Sequence, residues 1–258
     1  MCHESCPHPI SGGDHLQEEH ITIPVGKDQL PVFVVAPGAT PAPGVMIIHD
    51  IYGPGEFYQD LARRLADAGY LVALPDFFFR QGSIEGRDME AARARGTKVV
   101  QAHTFADMAA TLTWLKNHEQ GTGKIGTIGM CWGGSMVMLQ AARAPRPDAS
   151  IPFYGFPIRP RTENNPILAM DDEEVANVAS PMLAFWGDQD SGVGMDNVAA
   201  YDDKLSARNA PHEFVIYPGI GHGFLTFDPA SDAYEPSQDA WARTLAFLAE
   251  HLGVPGKG

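Results

Sequence analysis

A cysteine between glycines is the residue of this sequence best suited to do chemistry. The chain reads GMCWGG over residues 129–134, directly after the strand-like run KIGTI and directly before SMVMLQAARA. A strand that turns at once into a helix strains the backbone of its corner residue, whose side chain projects from the sheet edge. Gly129 and Gly133 leave room for that corner, since a Cβ there would collide with neighbouring backbone. The pattern predicts either a nucleophile elbow of the form GxCxG, with Cys131 at its corner, or a small buried cysteine.

A helix that begins beside Cys131 would favour its thiolate. The partial positive charge and the unpaired N–H groups at a helix N-terminus stabilise negative charge on the sulfur. The same groups can accept negative charge from a substrate, and the backbone N–H of Trp132 points to where a carbonyl oxygen would become an oxyanion. Cys131 and Trp132 are therefore candidates for the nucleophile and for one oxyanion-hole donor.

An acid and a histidine follow the elbow, each after a later strand-like run. PMLAFWG is followed by DQD, and EFVIYP is followed by GIGHGF. Such an elbow requires nucleophile, acid and histidine in this order, at the carboxyl ends of successive strands. Asp190 is preferred to Asp188 because it lies further out on its loop, where it could reach a histidine from the next loop. His222 lies between two glycines, which suits an exposed imidazole able to reach Cys131. The positions predict a Cys-Asp-His triad.

This triad predicts attack on an ester or lactone carbonyl. His222 would take or share the thiol proton, Asp190 would orient the imidazole, and the thiolate would add to the carbonyl carbon. Water activated by His222 would then hydrolyse a thiolester intermediate. The chemistry requires no metal and no organic cofactor, and the expected partner is a small-molecule ester or lactone. Cys2 and Cys6 share the segment MCHESCPH with two histidines, but no distant second ligand pair accompanies them, so we predict no metal site.

The elements that must position these residues follow from the hydrophobic pattern. HITIPV and LPVFVVAP are typical of an antiparallel hairpin. Six further strand-like runs, GVMIIHD, LVALPDFFF, KIGTIGM, SIPFYG, PMLAFWG and EFVIYP, are interleaved with helical stretches. Runs that are apolar on both faces suit a mostly parallel central sheet with helices on both faces, so the sequence predicts an α/β fold. One helical region is expected over about residues 90–118.

Length and charge restrict the class of protein. The chain has 258 residues, and we predict a flexible leader over residues 1–14 and a single domain over residues 15–258. Its 32 acidic and 18 basic residues give a formal charge of −14, which disfavours nucleic acid and anionic membranes as partners. No run approaches the ~18 consecutive apolar residues of a membrane span, and no secretory signal is apparent. A cytoplasmic location is expected.

Taken together, GMCWGG, GDQD and GHGF resemble the dienelactone hydrolase family of α/β-hydrolases, which typically has cysteine rather than serine at the elbow. Two further motifs, HDIYG and PDFFFRQG, support the resemblance, which covers nearly the whole chain. It implies an α/β-hydrolase fold and an ester- or lactone-hydrolysing enzyme. His49, the first residue of HDIYG, is interpreted either as lining the pocket or as a packed histidine bonded to backbone.

The resemblance also implies roles for residues near the predicted triad. Asp50 matches the acidic residue that contacts the resting cysteine and takes part in its activation, and Ile51 would donate the second oxyanion N–H. Arg80 matches an arginine that helps to hold the substrate carboxylate in members that cleave dienelactone, and a surface salt bridge is the alternative for this residue. Thr226 stands where those members have a second arginine. With one arginine left and aromatic residues such as Tyr52 at the expected pocket rim, a more apolar ester is favoured over dienelactone.

Two other classes of function stay open at this point. An activated, exposed cysteine is also oxidisable, which would fit a thiol-based redox or peroxide-responsive protein. A non-catalytic ligand-binding protein with the same fold is the second alternative, because fold alone does not determine function. The sequence also leaves the natural substrate, the pathway and the oligomeric state open.

Overall fold

The structure is a computed structural model that describes residues 8–10, 15–158 and 170–253. Most of the predicted leader, including Cys2 and Cys6, lies outside the described residues. Within the short described part of that leader, the backbone N–H of Ile10 donates a hydrogen bond to Asp60 Oδ1 at 2.7 Å.

An eight-stranded sheet forms the centre of the fold. Its strands are β1 (Gln17–Val25), β2 (Asp28–Ala36), β3 (Ala42–Ile48), β4 (Leu71–Pro75), β5 (Gly121–Met130), β6 (Ala149–Phe153), β7 (Met182–Gly187) and β8 (His212–Tyr217). They lie in the order β1-β2-β4-β3-β5-β6-β7-β8. β2 pairs antiparallel with both β1 and β4, and the other neighbours pair parallel. The predicted hairpin and the mostly parallel sheet are confirmed.

Helices pack around this sheet. Those of the described residues are α1 (Glu56–Asp67), α2 (Met89–Gly96), α3 (Gln101–Lys116), α4 (Trp132–Ala141), α5 (Asp172–Ala176), α6 (Met195–Ser206) and α7 (Tyr234–Leu252). None of them combines the length and apolar character that crossing a membrane would require.

The helical region expected over about residues 90–118 consists of two helices, α2 and α3, with a short break between them. Val100 separates α2 from α3 with an extended backbone, at φ −93° and ψ 112°. The β-branched pair Val99 and Val100 disfavours helix at this position. The hydroxyl of Thr97 also donates to the carbonyl oxygen of Ala94 at 2.8 Å, at the end of α2. Local side-chain chemistry therefore ends the first helix before the second begins.

Burial along the strands places the core at the middle of the sheet. Every residue of β3, β4, β6 and β7 is buried, as expected for parallel strands covered by helices. By contrast, β1 and β8 lie at the two edges of the sheet and keep exposed residues. The carboxyl ends of β3 to β8 meet at one edge of the sheet, because these strands run parallel. The predicted site residues follow these ends.

Candidate active site

Cys131 occupies the corner between β5 and α4. Its backbone has φ 57° and ψ −115°, a conformation that is strained for a residue with a side chain. The Cys131 N–H donates to Phe153 O on β6 at 3.0 Å, and the Ser135 N–H donates to Cys131 O at 3.1 Å, which begins the helix. Cys131 forms no disulfide within the described residues, and it is 5% exposed. The predicted strand-to-helix corner is confirmed.

Close backbone packing around this corner requires glycine. A Cβ on Gly129 would lie 2.4 Å from Gly133 O, and a Cβ on Gly133 would lie 2.1 Å from Ile48 O and 2.6 Å from His49 O. Such distances do not occur between real atoms, and the atoms in the way are backbone. The start of α4 therefore packs directly against the end of β3, which brings the segment after Ile48 beside the cysteine corner.

We expect Gly133→Ala to lower the free energy of unfolding by about 3 kcal/mol, at the upper end of the usual cost of overpacking. The reason is that neither Ile48 O nor His49 O can move without breaking the end of β3. Urea denaturation measures the change. Gly221→Ala is the control, because a Cβ on Gly221 would meet no atom within 4 Å. Equal stability of the two variants would contradict the packing described here.

Asp190 and His222 are brought together by the loops after β7 and β8. His222 Nδ1 lies 2.6 Å from Asp190 Oδ2, and the Gln189 N–H donates to Ile220 O at 2.9 Å between the two loops. The side chain of Asp190 is fully buried and that of His222 is 25% exposed. A buried carboxylate that accepts from an imidazole at this distance makes a strong, charge-assisted hydrogen bond. It also fixes the orientation of the imidazole ring through Nδ1.

Asp188, the other acid of this loop, faces the turn before His222. Its Oδ1 accepts a hydrogen bond from the Gly219 N–H at 2.7 Å. Asp190 Oδ1 instead accepts from the Val193 N–H at 3.1 Å, so the backbone fixes the carboxylate that faces the histidine. The two acids therefore have different structural surroundings, and only Asp190 is bonded to the imidazole.

Aromatic residues after β6 connect the cysteine corner with His222. Cys131 bonds to Phe153 as described above, and the next residue, Tyr154, has φ 39°. The Tyr154 ring meets the His222 ring edge-on at 5.1 Å, and the Phe156 ring lies 5.6 Å from it. Cys131 and His222 thus border the same short segment, at the carboxyl ends of β5 to β8.

The loop after β3 carries Asp50, whose carboxyl group is fully buried. Asp50 Oδ1 accepts a hydrogen bond from the Tyr52 N–H at 2.8 Å, and the Asp50 N–H donates to the Tyr58 hydroxyl at 2.9 Å. The guanidinium of Arg87 approaches Asp50 Oδ2 at 3.8 Å and lies 4.1 Å over the Tyr52 ring. Tyr52 is half-buried, and its hydroxyl contacts the sulfur of Met89 at 3.8 Å. Asp50 is therefore a buried acid with a neighbouring cation.

His49 is a packed histidine with both ring nitrogens bonded to backbone. Nδ1 lies 2.8 Å from Asp50 O, and Nε2 accepts from the Phe77 N–H at 3.1 Å. Because Nε2 is an acceptor, the proton lies on Nδ1, which donates to the Asp50 carbonyl. Burial lowers the pKa of His49 to about 4, so the ring is neutral at ordinary pH. The ring also stacks on Trp132 at 5.8 Å, which confirms the packed interpretation.

Arg80 is bonded to two acidic residues of the chain. Its Nη1 and Nη2 donate to the two oxygens of Asp107 at 2.6 and 2.9 Å, and its Nε donates to Asp28 Oδ2 at 2.6 Å. The hydrogen bonds that Arg80 donates to Asp107 raise the pKa of Arg80. Each nitrogen of the guanidinium therefore already donates to a carboxylate of the chain, and this arrangement favours the alternative of a salt bridge over the binding of a substrate carboxylate.

We expect Arg80→Met to lower the free energy of unfolding by about 3 kcal/mol, because the fully buried Asp107 would lose its partner. Chemical denaturation measures this loss. Arg243→Met is the matched control, since Arg243 also contacts two carboxylates but is 46% exposed, where ion pairs contribute about 1 kcal/mol or less. A loss of turnover confined to esters that carry a carboxylate would instead support the substrate-binding role.

Two arginines near the predicted site were missed by sequence reasoning. Arg87 contacts the Asp50 loop, and Arg95 donates from Nη2 to Ile51 O at 2.6 Å. Both belong to the polar stretch after β4, where hydrophobic periodicity does not show which side chains fold inward. The nearly complete burial of Arg95 has no counterpart in the sequence pattern.

Comparisons with known proteins identify the family of the chain. The model of the dienelactone hydrolase family matches residues 30–252. A Yersinia pestis protein named "Putative carboxymethylenebutenolidase" is 31% identical over 234 residues, covering 89% of this chain and 87% of that protein. The carboxymethylenebutenolidase of Rhodococcus opacus is 27% identical over 256 residues, covering 98% of each chain.

A solved structure supports the same assignment. The Klebsiella pneumoniae protein titled "Putative Dienelactone Hydrolase" superposes with a TM-score of 0.82 at 30% identity, and the match covers 91% of this chain and 99% of that one. Sequence and structure therefore agree over almost the whole length. The chain belongs to the dienelactone hydrolase family.

Proposed function

We propose that the chain hydrolyses a small carboxylic ester or lactone, with Cys131 as nucleophile, His222 as base and Asp190 as the residue that orients the base. Membership of the family and the names of the relatives support the reaction class. The observation that carries the assignment of roles is the 2.6 Å bond between His222 and a buried Asp190, at the sheet edge where a strained cysteine begins a helix.

The proposed reaction has two steps. His222 Nε2 accepts the thiol proton, and the sulfur of Cys131 adds to the substrate carbonyl carbon. The tetrahedral intermediate collapses to a thiolester, and the departing alkoxide takes the proton from His222. Water then loses a proton to His222, attacks the thiolester and releases the carboxylic acid and the thiol. The buried Asp190 stabilises the imidazolium that forms in both steps.

Two backbone N–H groups are proposed to form the oxyanion hole. Trp132 is the first residue of α4, so its N–H has no acceptor within the helix. Ile51 follows the end of β3, which packs backbone to backbone against Gly133 of the same helix. Donors of this kind stabilise the oxygen on which negative charge develops in the transition state.

The substrate is proposed to be more apolar than a dienelactone. Arg80 is held by carboxylates of the chain, and Thr226 stands at the place of a second arginine. Asp50 is proposed to assist activation of the thiol, as the resemblance implies, and Tyr52 to line the pocket. The ring of Tyr52 is half-buried beside Arg87, which is consistent with that place.

Trapping the acyl-enzyme tests the proposal. Rapid mixing with p-nitrophenyl acetate is expected to give a burst of p-nitrophenol, and mass spectrometry of the acid-quenched protein is expected to find the acetyl group on the peptide that contains Cys131. Acetylation of another residue during turnover would overturn the nucleophile assignment. Peroxide consumption with a reductant, without turnover of any ester or lactone in a panel, would support the redox alternative instead.

A further inference from the structure

Ile51 is held between two peptide groups that are each fixed by a buried side chain. The carbonyl oxygen of the preceding residue, Asp50, accepts from His49 Nδ1 at 2.8 Å. The carbonyl oxygen of Ile51 itself accepts from Arg95 Nη2 at 2.6 Å. Each peptide group is planar, so fixing its oxygen also fixes the direction of its N–H. The two dihedral angles of Ile51 lie between these planes and are therefore fixed together.

The Ile51 N–H is the polar group that this arrangement leaves for a ligand. Within the part of the chain that the structure describes, the Ile51 N–H has no hydrogen-bond partner, although the residue is buried. The neighbouring backbone groups are paired, since the Asp50 N–H donates to Tyr58 and the Tyr52 N–H donates to Asp50 Oδ1. A buried, unpaired N–H is costly and is explained best by a ligand that accepts from it.

His49, which bonds to the Asp50 carbonyl, is itself held in place by its surroundings. Its Nε2 accepts from the Phe77 N–H, which determines that Nδ1 is the donor. Its ring is fully buried and packs on Phe78 at 4.9 Å and on Trp132, the proposed donor of the other oxyanion hydrogen bond. His49 thus touches both halves of the proposed oxyanion hole without facing the substrate.

Arg95 is an unusual residue for a structural contact at this depth. It is 6% exposed, its guanidinium lies 4.3 Å over the Phe78 ring, and its Nη1 donates to Gly82 O at 3.3 Å. Burial lowers the pKa of Arg95, although Asp76 and Asp50 oppose the effect. The bond from this buried cation to the Ile51 carbonyl fixes the orientation of the peptide group that follows Ile51.

We propose that His49 and Arg95 are positioning residues that aim the Ile51 N–H at the oxyanion of the acyl-transfer transition state. The inference rests on the proposed function, since an oxyanion forms only if a carbonyl is attacked. It goes beyond that function because it gives two buried side chains a role in orienting one backbone N–H donor. Neither side chain faces the substrate.

The test compares two amide substitutions of His49. In His49→Asn, the side-chain amide nitrogen is as many bonds from the backbone as Nδ1 of the histidine. It can therefore still donate to Asp50 O. In His49→Gln, the amide reaches the position of Nε2 and the donor to Asp50 O is lost. His212→Gln is the matched control, because His212 Nδ1 also contacts a backbone carbonyl, Ala210 O at 2.7 Å, at the amino end of β8.

Two rates are measured for each variant: kcat for p-nitrophenyl acetate, and the alkylation of Cys131 by iodoacetamide, followed on its peptide by mass spectrometry. Alkylation forms no oxyanion, so it reports the thiol and its base alone. We expect His49→Gln and Arg95→Met to lose about 10-fold to 100-fold in kcat, less than the loss of a whole oxyanion donor, with alkylation unchanged. The kcat of His49→Asn is expected to stay within about 5-fold of the wild-type value. His212→Gln is expected to have the same kcat as the wild type.

The inference is overturned if His49→Gln keeps its kcat, if His49→Asn falls as far as His49→Gln, or if alkylation slows together with ester turnover. Should neither His49 variant fold, Arg95→Met decides by the same two rates. Failure of the proposed function is distinguishable, because the wild-type protein itself would then form no acetyl-Cys131.

Discussion

Cys131→Ala is expected to lower kcat for p-nitrophenyl acetate by about 10⁴-fold or more, because no other group at the helix start can form the acyl-enzyme. Cys131→Ser is expected to lose at least about 100-fold, since an alkoxide is far harder to generate than a thiolate. Steady-state kinetics and the pre-steady-state burst measure both losses. Full turnover by either variant would remove Cys131 from the mechanism.

A third substitution at Cys131 would distinguish a loss of activity caused by the missing thiol from one caused by unfolding. The backbone of Cys131 is strained at φ 57° and ψ −115°, and glycine adopts that conformation without strain. We expect Cys131→Gly to be inactive and yet more stable than Cys131→Ala by about 1 kcal/mol. Thermal unfolding of the two variants measures the difference, and a less stable glycine variant would contradict the strain at the corner.

Asp190→Asn is expected to lower kcat by about 10³-fold to 10⁴-fold. The oxygen of the new amide would keep the hydrogen bond from the Val193 N–H, because an NH₂ group there would face another donor. The amide nitrogen would then face His222 Nδ1 and force the ring proton onto Nε2. The imidazole would hold the wrong tautomer and could not accept the thiol proton.

Asp188→Asn is the matched control for this prediction. Its amide oxygen can still accept from the Gly219 N–H, so the turn before His222 should keep its shape. We expect its kcat to stay within about 3-fold of the wild type, as for a surface substitution with small effects. Equal losses in the two variants, measured under the same conditions, would contradict the assignment of Asp190 as the residue that orients the base.

The sequence was sufficient to predict the fold and the bond between the predicted acid and histidine. The family resemblance, the α/β-hydrolase fold and the ester- or lactone-hydrolase class are confirmed by the family match and the solved relative. Strand ends could be read from apolar runs, and parallel strands bring their carboxyl ends to one edge. Asp190 and His222 therefore meet as expected, while their catalytic roles and that of Cys131 stay proposals.

Other contacts of the site depend on the path of the loops, which the hydrophobic periodicity of the sequence does not predict. Arg80 was matched to a family position, but the sequence does not show that Asp107 and Asp28 surround its guanidinium. The same holds for Arg95, which reaches Ile51 O from 44 residues away. His49 could be recognised as packed, but its effect on the next peptide requires the geometry of its ring. Pairings between distant polar side chains were thus the least predictable part of the site.

The edge position of β8 has a consequence for how this enzyme would lose activity. Among the strands of the described residues, β8, which leads to His222, pairs only with β7, whereas β5, which leads to Cys131, has a partner on each side. Local opening at a sheet edge requires less free energy than global unfolding. Mild denaturant should therefore abolish ester turnover while the central strands still resist hydrogen exchange. To keep the enzyme active under such conditions, substitutions should strengthen the contacts between β7 and β8, and the core can stay unchanged.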